Sequence, residues 1–278
     1  MLNYTKFGTG PLTMIAFHGF GRDATMFKSY ESVFASYTIY SVDLYFHGTS
    51  ENYQPHYLDE HHWKLVFSDF LRREQIDKFS LLGFSLGGKL ALFTYQLFSE
   101  RIENLHLIAP YGIQKNLVEV LVQRTPFLYK KLNKFVDDPS YLFRMLNVLH
   151  FCQLINTTLV KIIAKQLDSK HKRFRAFHTM LIYGAVKLDL ENIQQSISLH
   201  GSRVHLYIGK YDQVLRLKTL YQYLGYLKHF SLHVLPSGHG SLPDKVKSLL
   251  AQKSENTNLI KEEAMPVVTM NHHKLQAY

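Results

Sequence analysis

A chain of 278 residues, 46% hydrophobic and 19% charged, is long and apolar enough to bury one large core, which excludes a disordered polypeptide. Its single cysteine, Cys152, excludes an internal disulfide, and no window free of charges reaches the length of a membrane span. The formal net charge of +10 is concentrated between Gly112 and Leu190, where 13 Lys/Arg stand against 5 Asp/Glu.

The N-terminal residues Met1 to Lys6 lack the apolar stretch of a signal peptide, so a cytoplasmic location is expected. Residues 12–17 are a short apolar run after the turn signal Gly8-Thr9-Gly10-Pro11 and predict a buried strand. A helix-like stretch follows over 24–35, then a strand rich in β-branched and aromatic residues over 37–42, then a helix over 57–73. Residues 79–82 predict a third strand, 86–98 a helix and 105–109 a fourth strand. After a gap the pattern resumes with strands at 204–208 and 231–235 around a helix at 215–227. Alternating strands and helices imply a mostly parallel sheet covered on both faces, an α/β fold. The alternation stops over 112–200, which is helical in pattern and is broken at Pro126 and Pro139. The expected organisation is a core of 1–111 and 201–251, a helical insertion of 112–200 and a polar tail of 252–278.

Gly83-Phe84-Ser85-Leu86-Gly87 is a G-x-S-x-G match set between a strand and a helix, the context that such a turn requires. A serine held there projects its hydroxyl above the sheet edge, and Cβ atoms two positions to either side would clash. The hydroxyl needs a base. Among 16 histidines, His239 lies directly past the last strand, between Gly238 and Gly240 in a loop able to deliver its ring. The imidazole in turn needs an acid, and Asp212 follows the strand ending at Ile208, with room for one helix and one strand before His239. Asp43 also ends a strand but precedes the serine, and a structural role is expected for it. Two backbone amides are the expected oxyanion donors: Leu86, which follows the serine, and Phe20 in the loop His18-Gly19-Phe20-Gly21 after the first predicted strand. His18 is expected to stabilise that loop. Cys152, in an apolar run without a basic neighbour, is expected to be a buried thiol.

Taken together, His18-Gly19-Phe20-Gly21, Asp43 through His47-Gly48, Gly83 through Gly88, Asp212 and Gly238-His239 resemble the α/β-hydrolase superfamily over roughly residues 10 to 250. The resemblance implies a mostly parallel sheet with helices on both faces, a helical cap inserted where 112–200 falls, and a triad in the chain order Ser85, Asp212, His239. No dinucleotide or P-loop pattern appears, so no cofactor is expected. A serine at the nucleophile position sets the chain apart from the members that carry aspartate there, the dehalogenases and epoxide hydrolases.

Within the superfamily, Gly83 through Leu92 resembles both small carboxylesterases and the menaquinone-pathway synthase that eliminates pyruvate. The resulting expectation is a serine hydrolase that cleaves a carboxylic ester or thioester through an acyl-Ser85 intermediate. A lyase using the same triad and a non-catalytic binding protein on the same fold are the alternatives. The basic insertion suits an acidic substrate, an anionic membrane surface or a solvated set of helix faces, and no nucleic-acid motif accompanies it. Phe127, Leu128, Tyr129, Phe135, Tyr141, Phe143, Phe151, Phe174 and Phe177 serve either as packing or as the lining of an acyl pocket. The adjacent pairs His61-His62 and His272-His273 lack metal-ligand spacing, so no metal is expected.

Overall fold

A computed structural model describes residues 2–51, 58–111, 134, 136–151, 157, 160, 164–165, 167–215 and 230–257. The chain divides into two compact units: Met1–Leu44 with Glu60–Ile113 and Lys187–Tyr278, and Tyr45–Asp59 with Gln114–Val186.

The first unit is built on seven strands: β1 (Tyr4–Phe7), β2 (Leu12–Phe17), β3 (Tyr37–Val42), β4 (Phe79–Phe84), β5 (Ile102–Ile108), β6 (Arg203–Gly209) and β7 (Ser231–Leu235). They form one sheet in the order β1-β3-β2-β4-β5-β6-β7. Only β1 runs antiparallel to its neighbour, pairing Tyr4 with Val42. Every other pair is parallel. The α/β architecture expected from the alternating pattern is therefore present. The strand β1 is an addition: two exposed residues, Thr5 and Lys6, between half-buried Tyr4 and Phe7 carry too little apolar signal to stand out. It is tied to Glu74 by the Lys6–Glu74 ion pair at 3.0 Å and by the Tyr4 hydroxyl on the same carboxylate.

Helix α1 (Glu60–Arg73) buries Trp63, Phe67, Phe70 and Leu71, one apolar stripe at helical spacing. Helix α2 (Leu86–Phe98) is different, since all of Leu86 through Tyr95 is buried. A helix that is apolar nearly all round belongs inside the core, and α2 packs on β2, β4 and β5. Trp63 Nε1–H donates to Thr94 Oγ1 at 3.0 Å, and Thr94 Oγ1 donates back to Leu90 O at 2.8 Å, so the polar atoms between α1 and α2 are satisfied. Residues 24–35, expected as one helix, form a 3₁₀ turn over Ala24–Tyr30 capped by Asp23. The helix expected over 215–227 falls, apart from Leu215, outside the described residues.

The second unit contains α3 (Ser140–Phe151) and α4 (Lys170–Gly184). Arg173 is buried there and donates from Nε to Val136 O at 2.9 Å and from Nη1 to Leu167 O at 3.2 Å. Phe46, Phe174, Phe177 and His178 cluster, with Phe174 and His178 ring centres 4.0 Å apart, and burial lowers the His178 pKa. Of the aromatic residues considered for a pocket, Phe177 is buried while Phe151 is 88% exposed. Phe127 to Tyr129, Phe135 and Cys152 lie outside the described residues. Helix α5 (Leu190–His200), within the stretch read as insertion, groups with the first unit, burying Ile193 and Ile197 and packing against α2. Helix α6 (Leu242–Thr257), the last among the described residues, reaches into the stretch read as tail. No described helix is long and apolar enough to cross a membrane.

Under α6 the sheet carries a ladder of rings. His106 on β5 stands opposite His205 on β6, and Tyr207, two residues on, stands opposite His233 on β7. The His106 and His205 rings stack at 4.7 Å, and Tyr207 and His233 at 4.9 Å. Burial is the main cause that lowers all three histidines, His106 to about 3 and His233 to about 4, with the Lys253 cation adding to it. Below the ordinary histidine pKa of about 6.5 the unfolded chain takes up protons that the folded chain refuses, so stability falls as pH falls. We expect urea-unfolding free energy to decline from pH 6.5 to 5, His106 alone contributing a slope approaching about 1.4 kcal/mol per pH unit. His106→Phe should reduce the slope by about one proton, which titration of unfolding midpoints across that range measures.

Candidate active site

The site begins where β4 ends. Ser85 follows Phe84 with φ 52° and ψ −114°, a conformation that costs a non-glycine residue energy and persists only when its surroundings impose it. The imposition is visible. Ser85 N–H donates to Ile108 O at 2.9 Å, and Ser85 O accepts from the N–H groups of Gly88, Lys89 and Tyr111 at 2.9, 3.3 and 3.0 Å. The start of α2 is pressed against the end of β2, since a Cβ on Gly87 would lie 2.0 Å from Phe17 O and 2.5 Å from His18 O. Glycine is the residue type that permits this approach.

His239 stands in the 3₁₀ turn His239–Ser241 that follows β7. Its Nε2 lies 3.0 Å from Ser85 Oγ and its Nδ1 lies 2.6 Å from Asp212 Oδ2. Asp212 is buried, and its other oxygen, Oδ1, accepts from the N–H groups of Val214 and Leu215, both at 2.8 Å. One carboxylate oxygen is thus anchored to backbone while the other faces the imidazole, an arrangement that fixes ring and tautomer. Nδ1–H donates to Asp212, leaving Nε2 to accept from the serine hydroxyl. Ser85 itself is 8% exposed. The three side chains singled out from sequence therefore meet in one continuous hydrogen-bonded chain.

The loops that deliver Asp212 and His239 are stitched together. Lys210 N–H donates to Leu235 O at 2.8 Å and Tyr211 N–H to Ser237 O at 3.0 Å. Ser237 Oγ lies 2.8 Å from Ser241 Oγ and donates to Gly238 O at 3.0 Å, bracing the turn that holds His239. Ser237 was not singled out by its sequence context, and the only signal for it is its place two residues before His239.

Leu86 contributes the first amide of α2, where helix geometry leaves N–H groups without an intrahelical acceptor. Phe20 adjoins Gly19, whose added Cβ would fall 3.4 Å from Ser85 Cβ, so the loop carrying Phe20 runs beside the serine. His18 is fully buried, accepts the Leu44 N–H on Nε2 at 3.1 Å and donates from Nδ1 to Gly19 O at 2.8 Å. Asp43 Oδ1 accepts from Ala24 N–H at 2.7 Å. Both act on loop geometry. Among the described residues no group of three or more His, Cys, Asp or Glu is placed to hold a metal ion.

The profile of the alpha/beta hydrolase fold matches residues 13–246. "Putative esterase/lipase 2" of Mycoplasma pneumoniae is 26% identical over 132 residues, covering 45% of this chain and 49% of that protein. "Putative esterase/lipase 1" of the same organism is 31% identical over 94 residues, covering 34% of this chain and 35% of its own length. The match thus spans about half of the first relative and about a third of the second. A thermophilic esterase from Thermogutta terrifontis superposes with a TM-score of 0.65 at 15% identity, over 93% of each chain. The enol-lactonase from Burkholderia xenovorans LB400 gives 0.60 at 15% identity, over 92% of this chain and 96% of that one. At those identities the superpositions speak for the fold alone.

The packing at Gly87 predicts a contrast between two glycines. Gly87→Ala should destabilise by about 3 kcal/mol or more, a thermal shift of roughly 6–12 °C, because backbone oxygens occupy the space of the new methyl. Gly240→Ala, with nothing within 4 Å of its Cβ, should stay within about 0.5 kcal/mol of the parent. Differential scanning calorimetry of the two variants reads both shifts.

Proposed function

The chain belongs to the alpha/beta hydrolase fold family, and from that premise we propose that it is a serine hydrolase that cleaves a carboxylic ester or thioester. The observation that carries the reading is the unbroken chain Ser85 Oγ, His239 Nε2, His239 Nδ1, Asp212 Oδ2, at 3.0 and 2.6 Å.

In the proposed sequence, Ser85 Oγ attacks the acyl carbon while its proton passes to His239 Nε2. Asp212 stabilises the imidazolium that forms. The backbone amides of Leu86 and Phe20 receive the oxyanion of the tetrahedral intermediate. Its collapse breaks the bond to the leaving alcohol or thiol, which takes the proton from His239 Nε2 and departs. Water, deprotonated by His239, then attacks the acyl-serine, returns the serine hydroxyl and releases the carboxylic acid. The balance is one water consumed per ester cleaved. Gln114–Val186, the larger segment of the second compact unit, is assigned the place of the cap by its position in the chain between β5 and α5.

The two Mycoplasma pneumoniae relatives, named as putative esterases/lipases, support the ester reading, as does the serine at the position of attack. The experiment is labelling with a fluorophosphonate probe combined with turnover of p-nitrophenyl butyrate. Ser85 should carry the label, and Ser85→Ala should lose it and about 10⁴-fold or more in kcat. Asp212→Asn should lower kcat by about 10⁴-fold through loss of the correct imidazole tautomer. An unlabelled Ser85 together with wild-type turnover in Ser85→Ala would remove the serine as nucleophile.

A further inference from the structure

The turn that holds His239 is not fixed by packing. Among the described residues an added Cβ on Gly240 would meet nothing within 4 Å, and one on Gly238 would meet only Tyr211 O, at 3.8 Å. The backbone on both sides of His239 therefore has room to shift. The Phe84 ring, 5.1 Å from the imidazole, packs against the ring and sets no backbone angle. Yet the ring must span two partners, Asp212 Oδ2 at 2.6 Å from Nδ1 and Ser85 Oγ at 3.0 Å from Nε2.

Hydrogen bonds do what packing does not. Leu242 N–H closes the 3₁₀ turn on His239 O, and the segment entering the turn is held by Ser237. Ser237 Oγ donates to Gly238 O at 3.0 Å, and that carbonyl belongs to the planar peptide that joins Gly238 to His239. The bond thus sets the plane from which the His239 side chain departs. Ser241 Oγ, at the far end of the turn, lies 2.8 Å from Ser237 Oγ and completes the chain as donor to it. Ser237 is suited to be the fixed end, since it is buried, its N–H donates to Leu235 O at 2.8 Å and its carbonyl accepts the Tyr211 N–H at 3.0 Å. That carbonyl occupies the space that a Cβ on Gly209 would need, 2.4 Å away, and the same Cβ would lie 3.4 Å from Asp212 Cβ. The main chain of Ser237 is therefore set against the loop that carries the acid, while its side chain holds the turn that carries the base.

We propose that Ser237 is a positioning residue: its hydroxyl holds the Gly238–His239 peptide so that the imidazole spans Asp212 and Ser85. The proposal rests on the serine-hydrolase reading above. Ser237 bonds to none of the reacting atoms, so its loss acts through the placement of His239. A small misplacement of a base slows the chemical step and leaves substrate binding alone.

The experiment compares Ser237→Ala, Ser237→Thr, which keeps the hydroxyl, and Ser241→Ala, at an exposed position, with the wild type. It reads turnover of p-nitrophenyl butyrate and, without substrate, the downfield proton NMR resonance of His239 Nδ1–H, with circular dichroism melts reporting the folded state. Ser237→Ala should lower kcat by about five- to tenfold, the factor that one hydrogen bond supplies, with KM within about twofold, and should shift or broaden the resonance. Ser237→Thr should return both towards the wild type. Ser241→Ala should act in the same direction with a loss of about threefold in kcat. Wild-type kcat and resonance in Ser237→Ala, or in Ser241→Ala where Ser237→Ala fails to fold, overturn the proposal. Equal losses in Ser237→Ala and Ser237→Thr at equal melting temperatures assign the effect to packing and overturn it as well. A protein that takes no label at Ser85 and turns over no ester loses the hydrolase reading, whereas a resonance that still moves in Ser237→Ala keeps the placement of the ring.

Discussion

The close approach of α2 to the end of β2 is the constraint on which the rest of the site depends. With Gly87 against Phe17 O and His18 O, the chain has no room to leave β4 by an ordinary turn. It reverses instead through Ser85 at φ 52° and ψ −114°, and the four backbone hydrogen bonds to that one residue hold the strained geometry. The energy spent there is returned by the burial of α2, which is covered over ten successive residues. The same contact brings Gly19 beside Ser85, so the amide-bearing loop and the hydroxyl are positioned by one packing decision.

Parallel pairing does the remaining assembly. Because β2, β4, β5, β6 and β7 all run the same way, the loops after them emerge at one edge of the sheet. The loop after β2 carries Phe20, the turn after β4 carries Ser85, the loop after β6 carries Asp212 and the turn after β7 carries His239. β5 lies between β4 and β6 and supplies no side chain to the triad, yet its Ile108 carbonyl accepts the Ser85 N–H. Ser85 and His239, 154 positions apart in sequence, are thus brought within 3.0 Å by the sheet.

Local chemistry explains which parts were legible in the sequence. Ser85 stood out because its strained turn demands glycines at fixed offsets, and His239 because glycines flank it just past a strand. Asp212 needed only a strand end and a workable distance. By contrast, β1 is an edge strand whose alternation is diluted by Thr5 and Lys6, and its pairing depends on β3 rather than on its own pattern. The 3₁₀ turn at Ala24–Tyr30 reads as helix because apolar spacing does not separate the two. Helix α5 has the same apolar period as an insertion helix, and only its packing on α2 shows which unit it joins.

The histidines make the general point. Of the 16 in the chain, His106, His205 and His233 are imidazoles set into the same sheet that delivers His239. What separates them is the company of each ring. His239 faces a carboxylate that is itself anchored to backbone. The ladder rings face one another, with Lys253 and Arg203 as the charged groups acting on them, and burial resists any proton they might accept. Stacking at 4.7 Å makes His106 and His205 serve as flat apolar surfaces beneath α6. On this sheet a fixed carboxylate on one ring nitrogen and the Ser85 hydroxyl on the other come together at the end of β7, where Gly238 and Gly240 flank His239.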